Sequence, residues 1–195
     1  MGFDMSNKMP PLNDDFITAH FVEQKGIVLG RREILNSTGY SFGFFDVFAA
    51  PHNLKDGEGY DLLLPYKLAA DEVGKIRQLC GHDGIVIQNA ESLFAALRTG
   101  TYNGEWFIPI LSFLTNVEGD AYLKENLFCL QNTGDFKGTF MMRGEGPYSH
   151  LLWSSTVPDN SPDTRYAVSR NSGYTTRHKY NEHCLITRAM RMEPA

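Results

Sequence analysis

The sequence predicts an α+β domain, on three observations. Apolar residues recur at helical spacing in two segments, through Ala69, Val73, Ile76 and Leu79–Cys80 and again through Leu93 and Leu97. Around them lie short runs rich in aromatic and β-branched residues, broken by Gly, Pro, Asn and Asp, as strands and turns are. No segment approaches the roughly 20 consecutive apolar residues of a membrane-crossing helix. Two helices followed by short antiparallel strands place helix against sheet, the α+β arrangement.

Taken in order, residues 1–14 read as a polar arm in which Pro10-Pro11 opposes regular structure. Strands are expected at Phe16–Val22, where alternate residues would face opposite sides of a pleat, then at Gly26–Gly30 and Gly43–Ala49. Asn36–Gly39 and Lys55–Gly59 are turn material. Asp61–Tyr66 reads as a short apolar strand that Pro65 must end. The first helix covers Ala69–Cys80, weakened by Gly74, and Gly81–Gly84 turns the chain. The second starts from Asn89 as N-cap, carries Ala90, Leu93, Ala95, Ala96 and Leu97, and ends at Gly100. Trp106–Ile108 is read as a strand leading to Pro109 and a short helix through Leu111 and Leu114. Later strands are expected at Asp135–Phe140, His150–Thr156, Arg165–Arg170 and Leu185–Met192. The domain reading is an arm (1–14), a β-rich N-terminal extension (15–80) and a C-terminal domain (81–195).

Composition narrows the partners. Hydrophobic residues at 42% of 195 supply an ample core for one domain. A formal charge of −5 opposes nucleic acid, which needs a concentrated basic face. Arg31-Arg32 and the cluster Arg165, Arg170, Arg177 and Lys179 are read as solvated surface. Cys80, Cys129 and Cys184 are odd in number and lack CxxC spacing, so they read as buried free thiols of a protein folded in a reducing compartment. Met1–Leu12 has neither the apolar run nor the small-residue cleavage site of a secretory leader.

Three stretches carry a resemblance. Gly104–Pro109 (GEWFIP) is similar to a G-x-W-R-L-P-T motif, Trp153–Thr156 to a Trp-Ser-Ser-Thr strand, and Thr187–Arg191 to a terminal V-R-x-V-R strand. In that order they resemble a C-type-lectin-like family of bacterial collagen-like adhesins and phage-encoded proteins, over residues 84–192. Phe107 stands where the motif has arginine, Ile110 where it has a helix-capping threonine, and Ala189 where many members have cysteine. The resemblance implies a structural role for Trp106, Pro109, Trp153, Ser154, Ser155, Thr156, Arg188 and Arg191. It leaves residues 15–80 without a counterpart, as a region that could mount the domain on something else.

Catalysis and cofactors find little footing. Ser154 and Ser155 lack the G-x-S-x-G surroundings of an activated nucleophile. Formylglycine-generating oxidases resemble residues 106–110, but their chemistry needs a cysteine pair and the terminal region offers Cys184 alone. Asp159, Asn160 and Asp163 could give calcium oxygen ligands, fewer than the six to eight it takes, and they are equally ordinary turn residues. His178, His183 and Cys184 match no usual zinc spacing. Gly26–Gly30 lacks the GxGxxG pattern of a nucleotide loop. No cofactor and no metal is expected.

What remains is recognition. Arg165, Tyr166, Arg170, Tyr174, Arg177, His178 and Tyr180 lie between the last two motif strands, and Tyr and Arg are enriched at binding hot spots. The expectation is a non-enzymatic virion attachment protein, a decoration or fibre-like component. It would be made in the host cytoplasm and bind other virion proteins as a symmetric homo-oligomer. The alternatives are a bacterial-surface or host-binding adhesin that takes glycan or protein, and an oxidase of the formylglycine-generating type. Neither nucleic acid nor membrane insertion is expected.

Overall fold

A hairpin of two nine-residue strands, β1 (Ile27–Leu35) and β2 (Ser41–Ala49), opens the described part of the chain. The computed structural model describes residues 26–35, 38–56, 58–79, 90–114, 150–169 and 174–195. The arm at 1–14, the expected strands at 16–22 and 135–140, the turn at 81–84, Asn89, Arg170, Cys80 and Cys129 lie outside them. Gly26 enters β1 at φ 94°, where an added Cβ would collide with the Ala49 carbonyl oxygen and press on Trp106. β1 runs on past Gly30 through Arg31, Arg32 and Glu33, longer than the apolar pattern indicated. It is the outer strand of its sheet, where Arg31 is exposed and Arg32 and Glu33 are half-buried.

The chain closes on this hairpin. β6 (Met190–Pro194) pairs antiparallel with β2, placing Val47 opposite Met192 and Ala49 opposite Met190, in the order β1-β2-β6. Beyond the strands the contact continues, with Ala50 N–H donating to Ala189 and Leu54 N–H to Thr187. The expected strand at Asp61–Tyr66 resolves into isolated bridges, Lys55 with Asp61 and Leu64 with Leu185. Tyr66 instead begins helix α1 (Tyr66–Leu79). The Pro65 carbonyl accepts the Ala69 N–H at 3.0 Å, so Pro65 starts the helix where it was expected to end a strand.

Helix α2 (Ala90–Thr99) ends as its glycine predicts. Gly100 takes φ 68°, its N–H donates to Leu97, and Thr101 N–H donates to Ala96. Trp106–Ile108 forms one bridge, Phe107 to Met190, where a strand was expected. Helix α3 (Leu111–Leu114) follows. Its first N–H is met by Thr156 Oγ1 at 2.9 Å, so a threonine distant in sequence does the capping that Ile110 cannot.

A second antiparallel sheet, β3-β4-β5, is built from β3 (Leu151–Trp153), β4 (Thr164–Ser169) and β5 (Thr175–Lys179). The architecture is mixed α+β with two small antiparallel sheets. One hydrophobic cluster joins Val47, Ala49, Met190 and Met192 to Leu93 of α2, Phe113 of α3 and Val168 of β4. The other surrounds Trp153 with Leu64, Tyr66, Val73, Ile76, Trp106 and Leu185. Residues before and after position 80 share both clusters.

Candidate functional site

Strand periodicity decides how the expected surface residues are distributed. Across the β4–β5 pair Arg165 lies opposite His178, and Tyr166 opposite Arg177. Successive residues point to opposite faces, so the two pairs sit on different sides of the ribbon. A set of residues read as one surface is thereby split.

On one face Arg165 forms the floor of a cleft. Its guanidinium lies 4.8 Å from the ring centre of Tyr66 and 5.3 Å from that of Tyr180. Nη1 donates to the carbonyls of Pro162 (2.8 Å) and Thr164 (2.9 Å), fixing the head group between the rings. The cleft encloses about 320 Å³ and is lined by Tyr66, Lys67, Ala70, Asp71, Pro162, Arg165 and Tyr180. Helix α1 presents Tyr66, Lys67, Ala70 and Asp71 to it from adjacent turns. Lys67 N–H donates to the Tyr180 carbonyl at 3.3 Å, and Tyr180 N–H to the Asp163 carbonyl at 2.9 Å, so helix, loop and turn share the wall. Burial raises the Tyr66 phenol well above its usual range, against the pull of Arg165, and keeps it a neutral hydroxyl. The combination is one buried and one half-buried aromatic ring, a held cation, and an exposed Lys67–Asp71 rim of mixed charge.

On the other face Arg177 Nη2 donates to the Tyr166 hydroxyl at 3.2 Å with its guanidinium 5.4 Å from that ring. Tyr174, 49% exposed, shares a 2.8 Å hydrogen bond between its hydroxyl and His150 Nε2. His178 was placed with the surface residues, but it is only 7% exposed, edge-on to Trp153 at 6.3 Å. The alternation that exposes Arg177 turns its neighbour inward.

The motif residues are internal, apart from half-buried Thr156. Trp153 is fully buried, its indole N–H donating to the Leu64 carbonyl at 2.8 Å. Ser154 Oγ donates to the Tyr166 carbonyl, and Ser155 N–H to that of Pro109. Both serines are buried. Arg191 lies 4.2 Å from the Phe48 ring and 5.6 Å from Trp106, and its Nη1 donates to Glu193. Arg188 is buried, donating through Nε to Asn53 Oδ1 at 2.8 Å and through Nη1 to the Ala50 carbonyl at 3.2 Å.

Sequence reading missed what Arg188 belongs to. Lys55 and Asp61, assigned to a turn and a strand, form an ion pair with side chains 3% and 0% exposed. Burial raises the Asp61 carboxyl and lowers the Lys55 ammonium, each opposed by the other's charge. It also lowers Arg188 to about 10, with Asp61 opposing. Lys55 and Asp61 flank the Asp56–Tyr60 turn, which the Asp56 side chain holds through the N–H groups of Glu58 and Tyr60. Nothing local marked those charges as buried.

Metal and thiol readings gain no geometry. Asn160 turns at φ 58°, Asp163 lies 3.8 Å from Lys179, and the loop closes through Ser161 N–H to Pro158. Among the described residues no group of three or more His, Cys, Asp or Glu could hold a metal ion. Cys184 is half-buried and burial raises its thiol, which disfavours the reactive thiolate. No described helix is long and apolar enough to cross a membrane. No family model, curated protein or solved structure matches this chain.

Proposed function

We propose that the protein is a non-enzymatic binding module on a C-type-lectin-like scaffold, acting as an attachment or decoration component of a virus particle. The observation that carries the binding role is the cleft in which Arg165 is held between Tyr66 and Tyr180. Arginine and tyrosine anchors with few degrees of freedom, beside an exposed charged rim, are the elements of a protein-recognition hot spot. The virion assignment rests on the family resemblance of the three motif stretches. Its partner is a protein segment that brings an acidic or hydroxyl group to the rim of Lys67 and Asp71.

A second reading, a host-surface adhesin, draws on the same cleft, because tyrosine rings also stack on sugars. Fractionation of a culture that makes the chain separates the two. Density-banded particles should contain the protein at a fixed copy number, as a symmetric assembly requires. Recovery only in the soluble or cell-envelope fraction overturns the particle role, and binding on a glycan array then favours the adhesin.

A further inference from the structure

Inside the same ribbon lies a histidine pair that the binding role leaves unused. His178 Nδ1 is 3.2 Å from His183 Nδ1, with ring centres 5.0 Å apart and planes at 83°. On its far side His178 Nε2 is 2.7 Å from Thr176 Oγ1. Two Nδ1 atoms can share a hydrogen bond only if one carries the hydrogen and the other a lone pair. A neutral pair satisfies that condition, and so does a pair holding one extra proton. A doubly protonated pair does not, because two N–H groups and two positive charges then face each other.

His183 belongs to the turn that follows β5, the same turn that supplies Tyr180 to the cleft. The turn's backbone bonds are long, 3.3 Å from His183 N–H and 3.4 Å from Glu182 N–H, both to the Lys179 carbonyl. Beside them, the imidazole contact ties His183 to the strand. Tyr180 connects that turn to helix α1 and to the loop at 163 through its carbonyl and N–H.

We propose that His178 and His183 form a proton-operated latch on the cleft: a second proton parts the rings, loosens the turn carrying Tyr180 and dismantles the cleft wall. Its functional consequence, weaker partner binding in acid, rests on the cleft being the recognition site. Several groups surround the pair. Arg165 lies directly across from His178 on β4, Lys179 follows it on β5, and α1 brings the Tyr66 phenol against Trp153. The turn adds the exposed carboxylate of Glu182 and the half-buried thiol of Cys184. Burial, then the charge of His183, holds His178 below the ordinary histidine value of 6.5. The second proton is therefore taken up below the ordinary histidine value, and the latch is shut at neutral pH.

Amide hydrogen exchange of the free, full-length protein from about pH 7.5 to about pH 4.5, corrected for intrinsic rates, reads the latch directly. The Tyr180 and Lys67 amides, which bond Asp163 and Tyr180, should lose protection about tenfold or more below the ordinary histidine range. The Met190 amide, bonded to Phe107, should lose protection only as far as global stability falls. His183→Gln keeps a polar group without the second charge and should cut the acid loss of Tyr180 protection to that of the Met190 amide. A flat wild-type profile overturns the proposal, as does an acid loss of the same size in His183→Gln. No partner is present in this measurement. A flat profile therefore removes the latch and leaves the cleft reading standing, whereas absence from particles removes the reading and leaves the exchange profile untouched.

Discussion

Arg165 and Tyr102 show how much one polar atom can decide. Tyr102 is half-buried, and its hydroxyl accepts the Met192 N–H at 3.0 Å while donating to the Glu105 carbonyl at 2.9 Å. Burial lifts this phenol far above its usual range, so it is always the neutral donor and acceptor that the bridge needs. Tyr102→Phe leaves two buried backbone groups without that bridge and should cost about 1–3 kcal/mol in urea unfolding. Arg165 has a different role, since its Nη1 binds two loop carbonyls while its flat face meets two rings. Arg165→Lys keeps the charge and loses the planar fork, so partner binding should fall about tenfold or more while the charge dependence of binding stays. Equal binding by the lysine variant would show that charge alone suffices.

Elements differ in how plainly the sequence announces them. The helices were legible because their signals are local: apolar spacing through Ala69, Val73 and Ile76, and a glycine at position 100 that adopts φ 68°. Strand β5 was not, because Thr175–Lys179 is polar on one face and hides only His178 on the other, leaving no apolar alternation to detect. The Arg165–Tyr180 part of the cleft was within the expected region, but Tyr66, Lys67 and Asp71 were not, since they reach it from a helix a hundred residues away in the chain. The Lys55–Asp61 pair was equally hidden, as only the long-range bonds of Arg188 reveal that the turn is enclosed. Asp61→Asn removes the anion that Lys55 and Arg188 share and should destabilise by about 3–5 kcal/mol. Lys55→Met with Asp61→Leu should recover most of that loss, because burial already works against both charges. A double variant as unstable as Asp61→Asn would mean that the pair attracts more strongly than burial opposes it.

At the scale of the whole molecule, closure is the organising event. β6 near the end of the chain completes a sheet begun by β1 and β2, and Leu185 and Ile186 bridge to Leu64 and Leu152 on the way. Such pairing between distant segments leaves no local trace in sequence. It makes unfolding one cooperative event, so a proton taken up at one site is felt in global stability. His178 is held below its unfolded value, so between those two values the unfolded chain binds more protons. The contribution is therefore complete above about pH 6.5, declines as pH falls from there towards the folded value, and is constant below it. The urea midpoint should drop across that window and drop less in His183→Gln; a midpoint that rises on acidification would contradict the assignment. The central claim, that the Tyr66–Arg165–Tyr180 cleft is where the partner binds, is tested most directly by particle occupancy of a Lys67→Glu, Asp71→Lys variant. Both side chains are exposed at the rim, so the charge exchange should leave the thermal midpoint within a few degrees of wild type. Copies per particle should fall about tenfold or more if the rim meets the partner. Unchanged occupancy in a variant of unchanged stability would place the binding surface elsewhere.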